Sequence, residues 1–223
     1  TLKSLAKDFM PLLFGRYWFY STYFVLYLFS PFINNFVHSA QKQDLKKLIV
    51  LMFVLWVLIP VIPKISGLGL NNLGWFIFLY ICASYYRLYP DDFNKTKKIY
   101  LLFGVLCVFL IILSVLAFDF LGNFDKRFVS HFNYFLPENS LLIVFASLFL
   151  FIGFGKVEMR QNKIINLISS TTFGVYLIHD NWLVRPFLWK TLFKNALFIS
   201  SNYIFLHSLL VLFGMFAVCS LCD

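Results

Sequence analysis

Seven long apolar stretches constrain this chain more than any other feature of its sequence. They cover residues 17–36, 48–65, 73–89, 99–121, 140–157, 164–185 and 203–221. At a rise of about 1.5 Å per residue, each is near the length that crosses a hydrocarbon core of about 30 Å. The stretches are continuous, whereas a barrel strand facing lipid on one side and lumen on the other alternates with period two. Helices are therefore expected, and the fold class read from the sequence is all-α: a polytopic transmembrane helical bundle of about seven spans. Pro31, Pro60 and Pro63 sit near span ends, where a missing N–H is most easily accommodated.

Composition supports the same reading. Of 223 residues, 61% are apolar and 13% charged, with 30 Phe, 12 Tyr and 5 Trp. That is more apolar surface than a soluble domain of this length can hide, which excludes disordered chains, secreted disulfide scaffolds and nucleic-acid modules. The net charge of +9 follows instead from Lys and Arg collecting in short cytoplasmic loops, so the expected partner is the lipid bilayer and not nucleic acid. The loops after spans one, three and five carry Lys42, Lys46 and Lys47, then Arg87, Lys95, Lys97 and Lys98, then Lys156, Arg160 and Lys163. Those after spans two and four carry only Lys64, and Lys126 with Arg127. The first set is placed in the cytoplasm, although Lys3, Lys7, Arg16, Arg185, Lys190 and Lys194 run against this count on the outer side. The chain opens at Thr1, ends at Asp223 directly after an apolar run and has no linker. It reads as a single membrane domain over residues 1–223, part of a longer protein.

Ionisable side chains inside apolar spans are costly, so they are the first candidates for function. The richest set is ISSTTFGVYLIHDNWLVRPF, with His179 and Asp180 well inside, Arg185 at the end, and Ser169, Ser170, Thr171 and Thr172 near the start. Helical spacing puts Thr172, Tyr176, His179 and Trp182 or Leu183 on one stripe. There His179 serves either as a proton carrier or hydrogen-bond donor to a sugar hydroxyl, or as a tie between two helices. Asp180 reads equally as a depth anchor. In the first span Trp18, Tyr20, Tyr23 and Tyr27 form an interfacial belt or a platform for stacking sugars. His131 and His207 are isolated and read as structural.

Cys82, Cys107, Cys219 and Cys222 all lie in apolar spans, where a thiol behaves as a small hydrophobe. Cys219 and Cys222 form a C-x-x-C pair without a second pair or a nearby His, so no metal site is expected. Gly153 to Lys156 reads GFGK but lacks the spacing and hydroxyl of a phosphate-binding loop. Asp91 and Asp92 share a loop with four cations and read as solvated charge. No G-x-S-x-G elbow is present.

Two segments carry a resemblance. WFYSTYFVLYLFSPFIN, with its Trp-Phe pair leading into a Tyr-rich helix that ends in Pro and Asn, resembles a segment of the acyltransferase-3 family. ISSTTFGVYLIHDNWL resembles that family's late helix, whose Gly-x-Tyr-Leu-x-His core is here Gly174, Tyr176, Leu177 and His179. The resemblance covers nearly the whole chain, as the C-terminal portion of the family's domain. It implies an integral-membrane O-acyltransferase, in the bacterial cytoplasmic membrane. The donor it implies is acetyl-CoA or another acyl-CoA, and the acceptor a hydroxyl of an exported or cell-surface glycan. It also implies that the family's catalytic His and its arginine motifs lie ahead of the segments matched here, which leaves His179 as the matched late-helix histidine. Tyr176, Trp18 and Tyr23 are the candidate substrate contacts. The competing reading is a transporter or polymerase for lipid-linked sugars, whose polar spans bind glycan without acyl chemistry.

Overall fold

The structure, a computed structural model, describes residues 17–62, 71–129, 131, 133–198 and 201–222. Lys3, Lys7, Arg16, Pro63 and Lys64 lie outside the described residues. Every element within them is helical. The principal helices are α1 (Trp18–Ser39), α2 (Lys42–Phe53), α3 (Asn72–Leu88), α4 (Lys97–Gly122), α5 (Leu141–Gly155), α6 (Lys163–His179) and α7 (Ile204–Cys222). Each of the seven apolar stretches therefore carries a helix. Among the described residues only α4 and α7, of 26 and 19 residues, are both long and apolar enough to cross a membrane. Helix α5 has 15 residues, about 22 Å at helical rise, so the helices do not all reach the expected span length.

Two prolines show how sequence shapes the helices. Pro31 lies inside α1, which runs on to Ser39. Having no N–H, it leaves the Tyr27 carbonyl one turn back without its helical donor, and the Ser30 hydroxyl donates to that carbonyl instead at 2.7 Å. Pro60 has the same effect on Trp56. Ahead of it α2 widens into a π-helical turn, Val54–Leu58, and then tightens into a 3₁₀ turn, Ile59–Val61. The Trp56 carbonyl accepts from Asn139 Nδ2 at 3.0 Å, and the Val61 carbonyl accepts from the Tyr134 hydroxyl at 2.6 Å.

The chain forms two compact units. The larger, residues 22–158, is built on Val37, Leu45, Met52, Val57, Trp75, Phe78, Ile81, Tyr85 and Val144. Tyr80 donates from α3 to Asn34 Oδ1 of α1 at 2.8 Å. Helices α4 and α5 run antiparallel in very close contact. A Cβ on Gly104 would stand 2.7 Å from Leu150 Cδ2 and 3.2 Å from the Leu150 backbone nitrogen, while one on Gly153 would stand 2.8 Å from Leu101 Cδ2 and 3.1 Å from the Leu101 nitrogen. This reciprocal use of glycine brings two backbones together where dispersion drives the pairing.

The smaller unit joins residues 17–21 to residues 159–222. Its centre is α6 packed on α7, with Gly174, Val175, Val211 and Cys219 buried. Thr171 Oγ1 donates to Ser220 Oγ at 3.1 Å. Thr172, placed by helical spacing on the polar stripe, is exposed and returns its hydroxyl to the Ile168 carbonyl at 3.1 Å. Helix α6 also stops at His179 rather than continuing to Arg185. The Asn181 side chain accepts from the Leu183 N–H at 2.9 Å, a local turn that competes with the helical ladder.

Candidate functional site

The smaller unit assembles an aromatic and imidazole cluster at the C-terminal end of α6. His179 Nδ1 lies 2.7 Å from the Val175 carbonyl oxygen one turn back. A carbonyl only accepts, so Nδ1 carries the hydrogen and the neutral ring keeps its lone pair on Nε2. The imidazole meets Tyr176 edge to face, with centroids 6.1 Å apart. Tyr176 in turn packs edge-on against Phe19 at 5.6 Å and Tyr17 at 6.1 Å, and Phe19 meets Trp18 at 5.9 Å.

Polar contacts fix this wall to the chain beyond α6. The Tyr17 hydroxyl donates to the Leu177 carbonyl at 3.3 Å and accepts from Asn181 Nδ2 at 2.8 Å. Asp180 pairs with Arg185 at 3.4 Å. Tyr176 Oη and Ser21 Oγ are shielded from solvent with no hydrogen-bond partner among the described residues, and a buried hydroxyl in that position gains most from a polar group brought by a ligand.

Of the residues singled out in the sequence, His179 and Tyr176 stand together, and Trp18, 45% exposed, joins them through Phe19. Tyr23 belongs to the larger unit and is 53% exposed. His131, in the larger unit, and His207, in the smaller, have structural partners. His131 Nδ1 contacts the Arg127 carbonyl at 2.7 Å, while His207 stacks on Phe198 at 3.8 Å and contacts Asn195 Oδ1 at 3.1 Å. Among the described residues no three His, Cys, Asp or Glu side chains converge as metal ligands.

A second polar cluster lies in the larger unit, where Asp92 is exposed, as solvated charge would be, and is also ion-paired. Asp92 accepts from Lys42 Nζ at 2.6 Å, from Lys46 Nζ at 3.0 Å, and from the Tyr85 hydroxyl. The Lys42 hydrogen bond, followed by those of Tyr85 and Lys46, holds the Asp92 carboxyl well below the usual carboxylate range. The Asp92 hydrogen bond likewise raises Lys46 above its ordinary value. Lys42 also lies over the Tyr89 ring at 4.9 Å. Tyr85 and Asp92 are seven residues apart, but the helix ends between them at Leu88 and Asp92 lies in the following 3₁₀ turn, so helical spacing gives no signal for their contact. The lysines, nearly fifty positions upstream, gave none.

The family profile described as an acyltransferase domain matches residues 2–223. No curated protein and no solved structure matches the chain.

Proposed function

Because this chain belongs to the acyltransferase-3 family, we propose that it works in an integral-membrane O-acyltransferase of the bacterial cytoplasmic membrane. The reaction moves an acyl group, acetyl foremost, from acyl-CoA to a hydroxyl of an exported or cell-surface polysaccharide. The observation that carries this reading is the match to the family over residues 2–223. The same reading makes each of the seven apolar stretches a span, with the cation-rich loops on the cytoplasmic side.

The catalytic His that the resemblance implies lies ahead of these segments, and within this chain His179 is the candidate base, with a lone pair on Nε2. Its Nε2 takes the proton of the acceptor hydroxyl as that oxygen attacks the thioester carbonyl, forming the C–O bond and a tetrahedral oxyanion. The oxyanion collapses, the C–S bond breaks, and the departing thiolate recovers the proton from the imidazolium. Tyr176, with its unpartnered hydroxyl, donates to a sugar hydroxyl or to the oxyanion. Trp18 offers a ring face for sugar C–H groups, and Tyr23 is a further exposed ring on the same helix.

The test supplies labelled acetyl-CoA and a polysaccharide acceptor to membranes containing the full protein. CoA-dependent label on the glycan, released by mild alkali as an ester would be, is expected. Retention of glycan without any CoA-dependent ester would overturn the reading in favour of a carrier or polymerase of lipid-linked sugars.

A further inference from the structure

The larger unit contains a cavity of about 560 Å³ between α2, α3 and α5. That volume falls in the range of roughly 300–1,000 Å³ typical of small-ligand sites. Its walls include Leu79, Ala83, Leu148 and Phe151. Two polar groups among them are engaged elsewhere. Ser147 returns its hydroxyl to the Ile143 and Val144 carbonyls at 2.9 and 3.0 Å, and the Tyr85 hydroxyl donates to Asp92. Tyr86 and Cys82 also line it, and its one charged group is the Lys46 ammonium, half exposed and sharing the Asp92 carboxylate with Lys42.

Two ammonium groups against one carboxylate leave one unit of positive charge beside an apolar cavity. We propose that this cavity is a lipid site, holding an acyl chain of an anionic glycerophospholipid whose phosphodiester sits at Lys46 and Lys42. The inference rests on the membrane placement proposed above. The charge shown at the cavity mouth, Lys42 and Lys46 against Asp92, is one positive unit, which a single phosphodiester matches. The position fits as well. Lys42, Lys46 and Asp92 lie at the same end of this unit as Arg87, Lys95, Lys97 and Lys98, where an anionic leaflet attracts cations.

The experiment uses the full protein in nanodiscs of phosphatidylcholine doped with a phosphatidylglycerol probe carrying a diazirine near its tail end. Cross-links are expected on Leu79, Ala83, Leu148 or Phe151. Unlabelled phosphatidylglycerol should displace the probe at least tenfold more effectively than phosphatidylcholine. Lys46→Gln should reduce labelling several-fold while Lys46→Arg retains it, and Ala83→Trp, which fills the cavity without touching charge, should abolish it. Equal displacement by phosphatidylcholine, preferential displacement by an acyl-CoA, or labelling indifferent to both Lys46→Gln and Ala83→Trp would each overturn the proposal. Alkaline extraction of the membranes reads integration separately. A protein that resists extraction yet shows none of this selectivity overturns the lipid site alone, and one that is extracted overturns the membrane placement.

Discussion

In the proposed reaction His179 is this chain's candidate base, and its ring is already half committed. With Nδ1–H donated to the Val175 carbonyl, orientation and tautomer are both set and Nε2 is the basic atom. His179→Ala is expected to lower acyl transfer about a hundredfold or more, while the folded protein in the membrane falls far less, since one lost hydrogen bond costs on the order of 1 kcal/mol. His179→Gln keeps a donor for the Val175 carbonyl but has no proton-accepting nitrogen, so it should resemble Ala in rate and wild type in abundance. Normal transfer by both variants at equal expression assigns His179 to structure. Asp92 makes a second residue-scale prediction. Its folded carboxyl is depressed by Lys42, Tyr85 and Lys46, so its contribution to stability is complete above the unfolded value of about 3.9 and is lost as pH falls toward the lower folded value. The stability gap between wild type and Asp92→Asn, measured by thermal unfolding in detergent, should hold from pH 7 to about 5 and narrow below about 4. A gap that persists unchanged at pH 3 contradicts this account. His179 was legible because an ionisable side chain in an apolar run is conspicuous. Asp92 was not, because two of its partners are distant in sequence and meet it only through the packing of α2 on α3.

At the scale of elements, hydropathy located every principal helix, since burial of a continuous apolar run in either lipid or a helical core demands internal backbone pairing. Helix ends escaped it. The stop at His179 depends on one Asn181 side-chain contact, and the widening before Pro60 depends on a donor from a distant loop. That donor gives a clean test. Asn139→Ala should destabilise the protein by about 1–3 kcal/mol, because it strands the Trp56 carbonyl. In a Pro60→Ala background, where residue 60 regains an N–H one turn beyond Trp56, the same change should cost much less. A double-mutant cycle of denaturation midpoints reads the difference, and additive effects would show that Asn139 acts elsewhere. The glycines of α4 and α5 were likewise illegible as an interface. GFGK was recognisable only as failing a phosphate-loop pattern, whereas Gly153 has a packing role. Gly153→Val adds bulk 2.8 Å from Leu101 Cδ2 and 3.1 Å from its backbone nitrogen, and a loss of roughly 1–3 kcal/mol is expected from such overpacking. Unfolding monitored by Trp fluorescence checks it, and an unchanged midpoint would mean that the two backbones do not approach as closely in the bilayer.

At the scale of the whole molecule, the larger unit has two chemically distinct ends. One pairs Lys42 and Lys46 with Asp92 and carries Lys47, Arg87, Lys95, Lys97 and Lys98 in the same two segments. The other joins Tyr134 and Asn139 to the end of the 42–61 helix and follows α4 with Lys126 and Arg127. The sequence could reveal this asymmetry as a count of cations by loop, but not that the loops after the first and third stretches meet, as the ion pairs of Lys42 and Lys46 with Asp92 require. If the seven helices cross the bilayer as proposed, Lys95 and Lys126 are separated by one crossing, that of α4, the 26-residue helix best suited to make it. In a variant with Cys82, Cys107, Cys219 and Cys222 replaced, a cysteine at position 126 should react with an impermeant maleimide in sealed right-side-out vesicles. A cysteine at position 95 should react only after the vesicles are opened, because cation-rich loops stay in the cytoplasm. Reversed labelling would invert the orientation and move the proposed lipid site to the outer leaflet. Labelling of both positions from one side would remove α4 as a span, and with it the alternation on which the seven-span arrangement depends.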